Sequence, residues 1–151
     1  NIMDITSILS LFIQLAGFVI GLGAVTVIDF HGFLGRKSSY WSEATTRTHK
    51  VTKPLIWIGI TLCLIGGILN YTKSTNTTYI LLHLILVTAL ILNGIFLSFY
   101  VSPYLLKKEK EGKSKELLPS SLQNKIFVSL IFSDIGWWGG LLLLCIYLVT
   151  K

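Results

Sequence analysis

The sequence predicts an all-α membrane protein: one domain, residues 1–151, built as a bundle of four transmembrane helices with both termini outside. Three observations carry this prediction. The 151 residues are 52% hydrophobic and only 13% charged, with a mean hydropathy of +0.71, whereas about a quarter of a soluble domain is charged. The apolar residues also gather into four runs: Ile8 to Phe30, Pro54 to Tyr71, Tyr79 to Leu106 and Ile126 to Val149. Each run is close to the ~20 residues that cross a hydrocarbon core as a helix, and unbroken runs of this length read as helices. Finally, eleven of the 13 Lys and Arg residues fall between these runs on one side, in segments 31–53 and 107–125. The positive-inside rule places both basic segments in the cytoplasm.

The first run lacks a basic leader and a small-residue cleavage site, so it reads as a span and not as a signal peptide. The chain starts at Asn1 and not at Met, which leaves room for preceding residues. In the first cytoplasmic loop, 31–53, Gly32 and Gly35 are expected to break helix 1. Ser38 or Ser39 then caps a short helix carrying Glu43, Arg47 and Lys50 on one face. Tyr40 and Trp41 read as headgroup-level anchors, Arg36, Lys37, Arg47 and Lys50 as contacts to anionic lipid, and Pro54 as a kink.

The outer loop "TKSTNTT" is short; its N-x-T sequon at Asn76 and a second one starting at Asn70 lie too close to the membrane for glycosylation. The second cytoplasmic loop, 107–125, holds "KKEKEGKSKE", which reads as a solvated, mobile linker. Ser120 or Ser121 is the expected cap of the last helix. No aromatic residues interleave the lysines, which argues against a nucleic-acid partner. Cys63 and Cys145 fall at different depths, so a disulfide is not expected.

Each span carries small or polar residues spaced alternately four and three apart. Helix 1 has Ser10, Gln14, Gly17, Gly21 and Ala24; helix 2 has Gly59, Cys63, Gly66 and Asn70. Helix 3 has Ala89, Asn93 and Tyr100; helix 4 has Ser129, Ser133, Gly136 and Gly140. This spacing keeps each set on one face. Helices in lipid associate across such faces by close packing and interhelical hydrogen bonds. Gly17, Gly21, Gly59, Gly66, Gly136 and Gly140 are the expected packing positions, whether within the chain or between chains.

The stretch "SDIGWWGG" puts an acid, Asp134, inside the fourth run. An intramembrane carboxyl is costly and marks a candidate site. Counting depth at ~1.5 Å per residue places Asn93 beside Asp134, with Gln14 as a further intramembrane polar group. Structural glue, a proton or cation site, and a partner-facing or cofactor-facing role are the alternatives. Trp137 and Trp138 lie too deep for the aromatic belt and read as fillers beside glycines.

His31, His49 and His83 invite a haem or metal reading, with His31 and His49 meeting near Asp29 or Glu43. The alternative is that they are ordinary interfacial histidines, since no pair has the spacing of a helical metal motif. No Ser-His-Asp set, phosphate loop or nucleophile elbow is present, so no catalytic residue can be named and the chain leans away from being an enzyme.

The stretches "IQLAGFVIGLGAVTVIDF", "THKVTKPLIWIGITLCLIGG" and "LLHLILVTALILNG" resemble small bacterial inner-membrane proteins of the HemJ-like and copper-resistance D-like group. The resemblance covers about the first two-thirds of the chain. It implies a bacterial inner membrane, haem b as a cofactor and redox chemistry, with a histidine ligand early in helix 1. This chain has Gln14 there, while His83 sits comfortably with the pattern. Three functions follow as expectations. The first is an accessory subunit that associates with other membrane proteins or with itself; the others are a HemJ-like haem protein and a small proton-coupled transporter using Asp134.

Overall fold

Every apolar run forms a helix, and every helix outruns its run. A computed structural model describes residues 2–151, with Asn1 outside it. Helix α1 spans Ile2–Gly35, α2 Ser39–Tyr71, α3 Thr78–Phe96, α4 Ser102–Lys110 and α5 Ser120–Thr150. A π-helical turn, Leu97–Val101, joins α3 to α4, so that Thr78–Lys110 is one helix of 33 residues. Four helices are thus long and apolar enough to cross a membrane, and the described residues contain no strand. The fold is that of a four-helix membrane bundle.

At ~1.5 Å per residue a helix of this length reaches about 50 Å, well beyond the ~30 Å hydrocarbon core. Much of the surplus lies at the basic end, where the helix expected to start at Ser38 or Ser39 forms and runs unbroken into the second span. Segment 31–53 is helical except around residues 36–38. Gly32 does not break α1: one glycine costs a helix only about 1 kcal/mol, and α1 runs on to Gly35.

Ser38 makes the turn, with an extended backbone and a side chain that accepts from the Trp41 amide at 3.3 Å. Ser38→Ala is expected to cost about 1 kcal/mol, read as a lower unfolding midpoint in detergent. Helix α2 then passes through Pro54 without ending.

The second basic segment is also shorter as a loop, since α4 extends to Lys110 and α5 starts at Ser120. What remains is not a free linker. Ser42 Oγ donates to the Glu116 carbonyl at 3.2 Å, and Lys108 pairs with the Glu116 carboxylate at 3.3 Å. Gln123 Nε2 donates to the carbonyls of Arg36 (3.3 Å) and Leu118 (2.9 Å). At the opposite end, Lys73 reaches Ser7 and Tyr79 reaches Thr150, so the α2–α3 turn and both terminal helix ends lie together.

Glycines set the packing. A Cβ on Gly59 would lie 2.5 Å from Gly21 Cα, one on Gly17 would lie 2.7 Å from the Cys63 amide nitrogen, and one on Gly66 would lie 2.5 Å from that of Gln14. The α1 and α2 backbones therefore touch, the contact that small residues permit in lipid. The Trp137 indole, 1% exposed, lies on Gly21 and meets the Phe18 ring edge-on at 6.2 Å. Trp138, 54% exposed, points outward.

Helix α3 departs from its expected stripe: His83, Val87 and Leu90 are buried, while Tyr100 is exposed. The reason is complementarity of size. The neighbouring helices present glycines, so α3 supplies bulk: the His83 ring packs on Gly67 and the Leu90 side chain on Gly136.

Candidate functional site

Buried polar groups form two clusters at opposite ends of the bundle. The first lies at the end holding the terminal helix ends. Gln14 is fully buried there; its Nε2 donates to Tyr71 Oη at 3.1 Å and its Oε1 accepts from Asn70 Nδ2 at 2.7 Å. Tyr147 Oη donates to the Asn70 carbonyl at 3.0 Å. Tyr71 stacks on Tyr79 and meets Tyr147 and His83 edge-on, both at 5.1 Å. His83 Nε2 is buried without a hydrogen-bond partner. This cluster joins α1, α2, α3 and α5, and nearly all its polar atoms are used up in doing so.

The second cluster surrounds a cavity of about 160 Å³ at the basic end, with walls from all four spanning helices. It is built in part from segment 31–53 and in part from the basic ends of the four apolar runs. His49 stands on the α2 wall. The Thr46 carbonyl lies against its Nδ1, which therefore carries the proton, and its Nε2 accepts from Ser102 Oγ at 2.9 Å. One turn further along α2 is Lys53, and beyond it Trp57 donates from Nε1 to Ser98 Oγ at 2.9 Å. Ser98 lies within the π turn and Ser102 directly after it. Such turns are frequent at functional sites.

Asp29 stands on the α1 wall. Its carboxyl faces that of Asp134 on α5, and its Oδ2 is buried without a hydrogen-bond partner. Two half-buried carboxyls that face each other form an arrangement able to hold one proton between their oxygens.

The neighbour expected for Asp134 was Asn93, and this is corrected. Asn93 Oδ1 instead accepts from Ser129 Oγ at 2.5 Å. Helical phase explains the difference: at ~100° per residue, Ser129 and Asp134 point about 140° apart around α5. The expected intramembrane set of Asp134, Asn93 and Gln14 is thus dispersed over three places.

The charged residues divide in a similar way. Arg47 pairs with Glu43 at 2.6 Å and Lys50 with Glu109 at 2.5 Å, so two of the expected headgroup contacts are engaged within the protein. Lys37 is exposed. Arg36 lies over the Phe33 ring, 4.2 Å from its centroid. Arg36 and Lys53 both line the cavity, and neither belongs to the ion pairs found among the described residues.

The three histidines occupy three different settings. His31 Nδ1 bonds the Val27 carbonyl at 2.8 Å, its ring lies edge-on to Trp41, and it is not on the cavity wall that His49 helps to form. The expected meeting of His31 and His49 is not formed there. Among the described residues no three His, Cys, Asp or Glu side chains group as metal ligands, and both cysteines are free.

Sequence reasoning had Asp29 only as a companion to the histidines and overlooked Lys53, Trp57 and Ser102 as wall residues. A signal for the acid pair was present: Asp29 and Asp134 are the two acids inside the four apolar runs.

Fold and site together define a polytopic α-helical membrane protein with an internal carboxyl pair beside a basic-ended cavity. Comparison of the chain with protein-family models, curated proteins and solved structures finds no match.

Proposed function

We propose that the protein is a small proton-coupled transporter of a bacterial inner membrane, with the basic end in the cytoplasm and both termini outside. One observation carries the reading: Asp29 and Asp134 face each other on two different helices, and Asp29 opens onto the cavity. A carboxyl pair of this kind holds or releases a proton as its surroundings change, and the adjoining cavity is where a solute would sense that change.

The rival reading, an accessory subunit, leans on small-residue stripes offered to partners. Here the glycines of those stripes meet atoms of the same chain.

The test uses liposomes that contain the purified protein and an internal pH dye, exposed to gradients of organic acids, amines and sugars. At least one solute is expected to shift the internal pH beyond the shift in protein-free liposomes. Asp134→Asn is expected to remove that excess while keeping its helical circular dichroism. An excess that survives in Asp134→Asn overturns the proposal. So does the absence of any response, and a stable complex with other subunits on gentle solubilisation would then favour the accessory reading. A Soret band in the purified protein would favour the haem reading.

A further inference from the structure

The cavity has a size, a lining and a charge, and each restricts what it holds. An apolar protein cavity of about 150 Å³ holds benzene. At about 160 Å³ this one therefore suits a single ring or a short branched chain, and it is too small for a sugar or a peptide. Much of its wall is aliphatic, including Ile28, Ile56, Val101, Ile126 and Leu130, which favours an apolar body.

The charge is set by three groups. Arg36 and Lys53 reach the cavity without an acidic partner, while the one acid on its wall, Asp29, is directed at Asp134. Lys53 is half-buried, and an ammonium withdrawn from water needs a counter-charge. Beside it stand the His49–Ser102 pair and the Trp57–Ser98 pair. The Ser98 hydroxyl accepts from Trp57, so its own proton is free to be donated to an anion, whereas the single proton of Ser102 is given to His49.

We propose that the cavity binds a small organic monoanion with an apolar body, a carboxylate of about the size of benzoate, with its charge at Lys53 and Arg36. This deepens the transporter reading and rests on the same cavity. One carboxylate and one proton held at Asp29 and Asp134 sum to zero charge, so the pair would cross together without opposing the membrane potential.

The test is calorimetric titration of the detergent-purified protein with three probes of one shape: benzoate, benzyl alcohol and benzylamine. Benzoate is expected to bind most tightly, with benzyl alcohol about tenfold weaker or more, in keeping with the loss of a charge-assisted contact. Lys53→Gln is expected to weaken benzoate about tenfold and to leave benzyl alcohol unchanged. Leu130→Trp, which fills the cavity, is expected to remove both. Each variant is checked for a wild-type unfolding midpoint, and Lys53→Arg serves as a second, charge-keeping variant expected to retain benzoate.

Benzylamine binding as tightly as benzoate overturns the proposal and points to a cation site at Asp29. Equal benzoate affinity in wild type and Lys53→Gln also overturns it. Benzoate binding without proton movement in liposomes leaves the anion site standing and sinks the transporter reading alone.

Discussion

Gly59→Leu is expected to unfold the α1–α2 pair, and Gly59→Ala to weaken it by about 1–3 kcal/mol, the usual cost of overpacking. The atoms that a Cβ would meet decide this. They are Gly21 Cα at 2.5 Å, Gly21 N at 2.7 Å and the Gly17 carbonyl oxygen at 2.9 Å. All three are backbone, and backbone cannot rotate aside as a side chain can. The two helices must separate, and separation strips contacts along the whole glycine seam, including those at Gly17 and Gly66.

Gly139→Ala is the matched control. Its nearest neighbour is a Leu86 methyl at 3.7 Å, so the change should stay within about 0.5 kcal/mol of neutral or gain slightly in helix propensity. Unfolding in mixed detergent micelles reads both. A Gly59→Ala protein as stable as Gly139→Ala would show that α1 and α2 do not touch along this seam.

Gln14→Leu is expected to cost about 1–2 kcal/mol although it adds apolar volume to the bundle interior. The Gln14 side chain is fully buried and makes two hydrogen bonds, one with Asn70 and one with Tyr71. Leucine returns nothing to either partner. The Asn70 amide then lacks its acceptor and the Tyr71 hydroxyl its donor, at a depth where water does not replace them. The magnitude is held down because interhelical hydrogen bonds in membranes average only about 0.6 kcal/mol and reach about 1.7.

The double variant Gln14→Leu with Asn70→Leu separates this cause from a packing defect. It is expected to cost less than the sum of the single changes, because the second substitution removes the group that the first left unpaired. Strict additivity would mean that the bond contributes nothing.

The sequence revealed the number of helices because hydrocarbon thickness demands it: a run of about twenty apolar residues has few other uses. It misjudged where the helices end, since hydropathy marks lipid contact and not hydrogen bonding. The polar turns after Phe30 and after Leu106 remain helical in water or against one another. The turns after Phe30 carry His49 and Lys53, so one side of the site lay in the part that hydropathy leaves blank, while Ser98 and Ser102 lay unnoticed inside the third apolar run.

Asp134 was legible as an anomaly, and its partner was not. Depth along a helix can be counted from residue numbers. The direction in which a side chain points depends on how two helices are turned about their axes, which a single chain's spacing does not fix. Asn93 satisfied the depth criterion and failed on direction, because the face of α5 that meets it carries Ser129. The three stripes whose residues all proved buried, those of α1, α2 and α5, were readable because small residues facing a neighbour repeat along the helix and so declare their own face.

The π turn at Leu97–Val101 acts as a phase shifter within the third span. A π turn holds one more residue than an α turn, and each residue advances the helix by about 100°. Upstream of it, α3 is timed to α5 through Leu90 on Gly136 and Asn93 with Ser129. Downstream, α4 is timed to α2 through Ser102 with His49 and Glu109 with Lys50. One uniform helix would keep a single timing along its length. With a plain α turn in place of the π turn, Ser102 would swing about 100° away from His49, and the wall that closes the cavity at the basic end would face somewhere else.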